Sequence, residues 1–308
     1  MQIYHHWRDL PPQAKGASIA LGNFDGVHRG HQHVIDLARR PDAPLGILTF
    51  EPHPREFFAP DAPPFRLMNA STRAHRLDWL GVEHLFQFPF DAELAALSAS
   101  AFVDEVLVAG LGLRHVVIGA DFCFGKGRAG TAEDLRRHGA RHGFDVTIAP
   151  LQAAGDQVLS STAIRAALSD GQPEKAAAML GHWHRIDGAV LHGEKRGREL
   201  GYPTANMSIA GLHPPRFGVY AVLVDVLTGP HQGAYHGVAS LGVRPMFGEN
   251  LPNLETHIFD FKGDLYGAEL SVALVAHLRD EMRFDGLPAL ITQMDADSDA
   301  ARAILRKL

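Results

Sequence analysis

The chain has 308 residues, with 29 Lys and Arg against 35 Asp and Glu, a formal charge of −6 and a single cysteine, Cys123. At about 150 residues per domain this length predicts two domains, and 46% hydrophobic with 21% charged residues fits an ordinary globular protein. The lone thiol excludes a disulfide framework or multi-cysteine metal cluster, the acidic balance excludes general coating of nucleic acid, and no apolar run approaches the roughly 18 residues of a membrane span.

The opening residues, MQIYHHWRDLPP, lack a secretory pattern, which predicts a cytoplasmic protein. Apolar runs at 17–22, 45–50, 84–88, 115–119 and 145–151 then read as buried strands. Between them GHQHVIDLARR, STRAHRLDWLG, AELAALSASAFVDEVLVAGL and TAEDLRRHGARHG have helical periodicity, the last with Thr131 as N-cap and Glu133 and Asp134 in its first turn. This alternation predicts an α/β domain with a doubly wound parallel sheet. The Pro-rich stretch 51–64 is expected as a loop within that domain. From about His182 the segments become short, β-branched and separated by glycine turns, which predicts an antiparallel β-barrel with one terminal helix over roughly 286–306. A boundary at 180–183 gives domains of 1–181 and 182–308.

In GNFDGVHRGHQ, glycines turn the chain sharply after the first strand, and Gly30 lets backbone amides approach a ligand. The helix expected from about His31 points its positive end at the same place. His28 and His31 beside it can stabilise charge on a phosphate under attack. A solvated histidine pair in a turn fits the same spacing, whereas the helical zinc motif needs histidines at i and i+4 with a Glu between them. LSSTAIRAAL offers Ser160, Ser161, Thr162 and Arg165 as a second phosphate cradle or as a plain capped helix. GEKRGRELGYPTANM combines glycines with Lys195, Arg196 and Arg198, as a polyphosphate loop does. Thr204 and Asn206, two apart in extended chain, share a side and offer oxygens to Mg²⁺, although YPTAN also reads as a turn entering a strand. Glu255, His257 and Phe259 alternate onto one strand face. His5, His6, His182 and His184 read as surface or strand-end residues, and Cys123 as packing.

GNFDGVHRGHQ, TFEPHPREFF, GADFCFGKGRAGT and LSSTAIR, in this order, resemble the adenylyltransferase module of bacterial bifunctional riboflavin kinase/FAD synthetases. HGEKRGRELGYPTANM and LETHIFDFKGDLYG resemble that family's kinase module. The resemblance implies a Rossmann-like nucleotidyltransferase domain followed by a β-barrel riboflavin kinase domain, with riboflavin, FMN and ATP as substrates and Mg²⁺ accompanying ATP. It places His28 and His31 on the α-phosphate of ATP, with Gly22, Asn23 and Asp25 shaping the turn. Ser161, Thr162 and Arg165 then bind the β and γ phosphates, and Asp121, Phe122 and Phe124 lie beside the flavin or adenine. In the kinase module it places Gly193, Lys195, Gly197, Arg198, Gly201 and Pro203 around ATP, Thr204 and Asn206 on the metal, Glu255 as general base, and Arg279, Glu281 and Phe284 at the flavin. Cys123, Leu159 and Met246 depart from the family's usual Arg, Ile and Thr. No nucleic-acid or membrane partner is implied, and no oligomeric state follows. Two rivals fit some of these residues, one with a single working module and one a flavin- or nucleotide-sensing protein that has lost catalysis.

Overall fold

The computed structural model describes residues 1–150, 153–154, 157–192, 202–246 and 249–308. The chain separates into two compact units, one of Met1–Ala62 with Arg73–Ser160 and the other of Pro63–Thr72 with Ser161–Leu308.

The first unit is built on β1 (Gln2–Tyr4), β2 (Ser18–Leu21), β3 (Leu45–Glu51), β4 (His84–Pro89), β5 (His115–Gly119) and, after a small ribbon β6–β7 (Cys123–Phe124 and Gly130–Thr131), β8 (Asp145–Ala149). The sheet order is β1-β4-β3-β2-β5-β8 and every pairing in it is parallel. Strands β2 to β5 and β8 are the five apolar runs of the sequence, so buried and continuous because helices must cover both faces of a parallel sheet. The order reverses between β2 and β5, and the crevice outside their carboxyl ends is where such sheets bind ligands.

Helices α1 (Arg29–Leu37), α2 (Pro54–Phe58), α3 (Ala70–Trp79), α4 (Ala92–Ala96), α5 (Ala99–Ala101) and α6 (Ala132–His142) lie between the strands. The single helix expected over 92–111 is broken. Leu97 is extended, and the Ser98 hydroxyl accepts from the Ala101 amide at 3.1 Å, so a new helix starts there. It continues as π-helix through Phe102–Gly110. The capping box expected at Thr131 is present, with reciprocal Thr131 and Asp134 bonds of 2.9 and 3.2 Å.

In the second unit α7 (Ser161–Ser169) and α8 (Pro173–Leu180) precede the barrel. Beyond the short pair β9 and β10 (Ala153–Ala154 and Gln157–Val158), which falls before this unit, the strands are β11 (His184–Ala189), β12 (Ala205–Ser208), β13 (Gly218–Val226), β14 (Gly233–Met246), β15 (Glu249–Ile258) and β16 (Glu269–Arg279). They run antiparallel in the order β11-β16-β13-β14-β15-β12, and an isolated bridge from Leu191 to Asn206 joins the two ends. Leu241, Leu254, Met207, Ile258 and Val272 fill the interior. The terminal helix α9 (Leu287–Leu305) lies on the outside over Val219, Ala221 and Val275. Residues 63–72 belong to this unit because Arg66 bridges Leu212, its carbonyl accepts from the His213 amide at 2.8 Å, and Asn69 donates to the Asp187 carbonyl at 3.1 Å.

Two buried histidines couple this fold to pH. His115 sits between Ser18 and Thr147, at 2.8 Å from each hydroxyl, and burial pushes its pKa down to about 4. His184, expected at a surface or strand end, does begin β11 but is 2% exposed, and burial with His182 and His213 nearby pushes it down to about 3. Both rings stay neutral in the fold, while in the unfolded chain they protonate below about pH 6.5. The unfolded state then binds more protons, so stability is full above pH 6.5 and falls as the pH drops toward 4 and below. The urea midpoint is expected to fall between pH 7 and 4.5, and to fall less steeply in the variant His115→Asn/His184→Asn. An unchanged slope in that variant would refute the assignment.

Candidate active sites

After β2 the chain turns through Gly22–Val27 with Phe24 at φ +51°, Gly26 at +87° and Val27 at +41°. A β-branched residue at positive φ is rare, and such a conformation costs about 1–3 kcal/mol. It is held here by complete burial of Phe24 and Val27, and by Thr49 Oγ1 and Arg73 Nη1 donating to the Asn23 carbonyl at 3.2 and 3.5 Å. The turn delivers His28 as the N-cap of α1, its Nδ1 accepting from the His31 amide at 3.2 Å. The helix therefore starts two residues earlier than expected, and one histidine has a structural duty as well. Accepting at Nδ1 leaves the His28 proton on Nε2.

The two imidazoles stack, with centroids 3.6 Å apart and planes at 15°, and Phe24 lies 5.2 Å from the His31 ring. Burial, and secondarily His28, holds the His31 pKa well below its ordinary value. His31 Nδ1 is enclosed without a hydrogen-bond partner among the described residues. A Cβ at Gly30 would come within 3.1 Å of the His28 ring and 3.8 Å of the Leu159 carbonyl. Glycine there thus makes room for His28 and lets the Leu159 carbonyl lie close to the first turn of α1. Imidazole N–H groups at the positive end of a helix can attract an anion. Asp25 is buried beside them in sequence and Asn23 is exposed.

In the 119–131 loop Asp121 is exposed and Phe122 is half-buried, its ring stacked 6.0 Å from Phe124. Phe124 itself is core, 5.7 Å from Phe102, so Phe122 is the ring left partly open. Cys123 is half-buried, its thiol 3.7 Å from the Asp121 carbonyl.

Arg73 was missed by sequence reasoning. It is 1% exposed and donates to Glu51 at 2.9 Å, Gln87 at 3.2 Å and the Asn23 carbonyl at 3.5 Å, tying together the ends of β3 and β4 and the turn after β2. Its signal was available, since Arg73 and Leu77 share the i, i+4 face that α3 buries.

In the second unit Ser161 and Thr162 open α7, and Arg165 Nε donates to the Phe65 carbonyl at 2.5 Å with its guanidinium 5.2 Å over the Phe65 ring. On the barrel, Asn206 of β12 and Ser240 of β14 stand directly opposite Glu255 of β15. Leu254 and Ile258 point inward, so Glu255 and His257 alternate to the outer face, together with Asn206. Side chains paired this way lie about 5 Å apart. Glu255, Thr204 and Asn206 are each half-buried. The segment before β12 is anchored by His257 Nδ1 at 3.0 Å from the Pro203 carbonyl, and by the Tyr202 hydroxyl bonded to Asp295. Gly193, Lys195, Gly197, Arg198 and Gly201 lie outside the described residues.

Arg279 makes a bidentate pair with buried Asp297 of α9, at 2.7–3.0 Å, and its guanidinium lies 5.7 Å from the Phe284 ring. Glu281 is exposed and covers Gly242, where a Cβ would collide with it.

The FAD synthetase family model matches residues 10–163 and the riboflavin kinase model residues 180–305. A bifunctional riboflavin kinase/FMN adenylyltransferase of Pseudomonas fluorescens is 41% identical, covering 99% of this chain and 98% of its own. The chain belongs to the bifunctional riboflavin kinase/FMN adenylyltransferase family. The Escherichia coli K12 protein of the same name is 38% identical over 97% of this chain and 95% of its own. A crystal structure described as a macrolide-efflux protein from Streptococcus pneumoniae matches with TM-score 0.81 at 31% identity, covering 98% of both chains. No described helix of the present chain is long and apolar enough to cross a membrane. An FAD synthetase domain thus precedes a riboflavin kinase domain, and the chain is an enzyme with the riboflavin kinase and FMN adenylyltransferase activities of this family.

Proposed function

We propose that residues 182–308 transfer the γ-phosphoryl group of MgATP to a ribityl hydroxyl of riboflavin, and that residues 1–181 transfer the adenylyl group of a second ATP to the FMN formed, releasing pyrophosphate. The observation that carries the residue assignment is the direct cross-strand pairing of Asn206 with Glu255. It sets a hard oxygen donor beside a carboxylate on one barrel face. Thr204 and Asn206 would hold Mg²⁺, which suits an all-oxygen donor set and supplies charge neutralisation at the phosphates. Glu255 accepts the proton that the riboflavin hydroxyl loses on attack. Gly193, Lys195, Gly197, Arg198, Gly201 and Pro203 serve the nucleotide, and Arg279, Glu281 and Phe284 the flavin, with Arg279 held in place by Asp297.

The other reaction needs no base, because its acceptor is the already ionised phosphate of FMN. His28 and His31 donate N–H groups to the α-phosphate as charge gathers on it. Support comes from their stacking at the start of α1 and from His31 Nδ1, which has no hydrogen-bond partner among the described residues. Gly22, Asn23, Asp25 and Gly30 shape that turn. Ser161, Thr162 and Arg165 bind the outer phosphates, and Asp121, Phe122 and Phe124 border the flavin or adenine.

Asn206→Ala tests the barrel assignment. It is expected to raise the MgATP concentration needed for half-maximal FMN formation at least about tenfold, a loss of ~1.4 kcal/mol, and to leave adenylylation of supplied FMN unchanged. An unaltered kinase KM for MgATP in the folded variant would remove Asn206 from the site.

A further inference from the structure

We propose that the first unit carries a binding site for a divalent transition metal of the zinc class, formed by Asp104, His138 and His142. His138 and His142 are four apart on α6 and so share one helix face, their rings nearly parallel at 11° with centroids 6.0 Å apart. Asp104 comes from a different element, the π-helical stretch Phe102–Gly110, and its Oδ1 lies 3.0 Å from His142 Nε2. One ligand atom from each of the three side chains falls within 4.8 Å of the others. Around a tetrahedral ion with bonds of about 2.0–2.1 Å, ligand atoms are ~3.4 Å apart. Small rotamer changes in Asp104 and His142, both exposed, close that difference.

His138 Nδ1 is shielded from solvent and has no hydrogen-bond partner among the described residues, although its residue is only half-buried. A plain ion pair between His142 and Asp104 leaves that imidazole unused, whereas a metal engages all three side chains. Asp104 lies in a π-helical stretch, where the Leu111 amide bonds to the Val106 carbonyl five residues back, a rare winding that is frequent at functional sites.

Two imidazoles and one carboxylate select Zn²⁺ and its first-row neighbours over Mg²⁺ and Ca²⁺, which require oxygen. Three protein ligands leave a fourth position for water. The three ligands come from α6 and the π-helix, so an ion there would tie these two elements together.

The test uses the full-length chain stripped with EDTA and titrated with ZnSO₄ by calorimetry, with MgCl₂ as the comparison. One equivalent of Zn²⁺ is expected to bind, raising the thermal midpoint, with no matching Mg²⁺ effect. His138→Ala/His142→Ala should lose that equivalent, and Asp104→Asn should bind at least about tenfold more weakly. Co²⁺ added to the unaltered chain should give the intense visible absorption of a tetrahedral nitrogen and oxygen site and lose it on Zn²⁺ addition, a readout that needs no variant to fold. A double variant that binds the same one equivalent, or a native chain in which Zn²⁺ does no more than Mg²⁺, would overturn the site.

Discussion

Replacing Glu255 by glutamine is expected to lower FMN formation from riboflavin by at least about 10²-fold, a loss of some 2.7 kcal/mol of transition-state stabilisation. The amide keeps the shape of the side chain and its place opposite Asn206 and Ser240, but it cannot accept a proton. Nucleotide affinity should change little. Adenylylation of supplied FMN should proceed at the parent rate, since that acceptor arrives ionised. Single-turnover FMN formation at saturating riboflavin and MgATP is the measurement, made after thermal unfolding has shown the variant to be folded. A rate equal to the parent's would return Glu255 to the status of a solvated outer-face carboxylate.

The reciprocal loss is expected at the histidine pair. With His31 in the proposed role of N–H donor to the α-phosphate, His31→Ala should cut FAD formation by about 10²–10³-fold, the range for losing one such preorganised donor. His31 is a cleaner probe than His28, because His28 also caps α1 and its removal costs about 1 kcal/mol of stability. Arg165→Ala should suppress the same step. FMN formation should survive in both variants. Product chromatography over time, starting from riboflavin, should show FMN accumulating without FAD. A folded variant in which both products fall together would refute independent sites.

Most of the sheet of the first unit could be read from sequence because its strands are buried on both faces and stand out as apolar runs, as LGILTF and HVVIG do. β1 could not, since its three residues QIY are largely exposed and gain strand character only by pairing with β4. The break at Leu97–Ser98 was hidden because the apolar periodicity of AELAALSASAFVDEVL runs through it, and a single serine cap overrides it. The assignment of residues 63–72 to the second unit depends on bridges to Leu212 and Asp187, contacts far too distant in sequence for local patterning to reveal. At the sites, the glycine and histidine spacing announced the helix mouth. That His28 is itself the cap, and that Arg73 gathers Glu51, Gln87 and the Asn23 carbonyl, became visible only once strand order brought those ends together.

Phe24, Gly26 and Val27, the left-handed residues ahead of α1, also bear on how this enzyme could be engineered. At Val27 a glycine would remove the conformational penalty but also the fully buried side chain that holds the turn, so the two effects on heat resistance oppose each other. The same residues place His28 at the cap of α1, so a change there also moves the ring stacked on His31. Substitutions far from the turn, on exposed faces of α6 or α9, offer a route to durability that leaves His28 and His31 where they are.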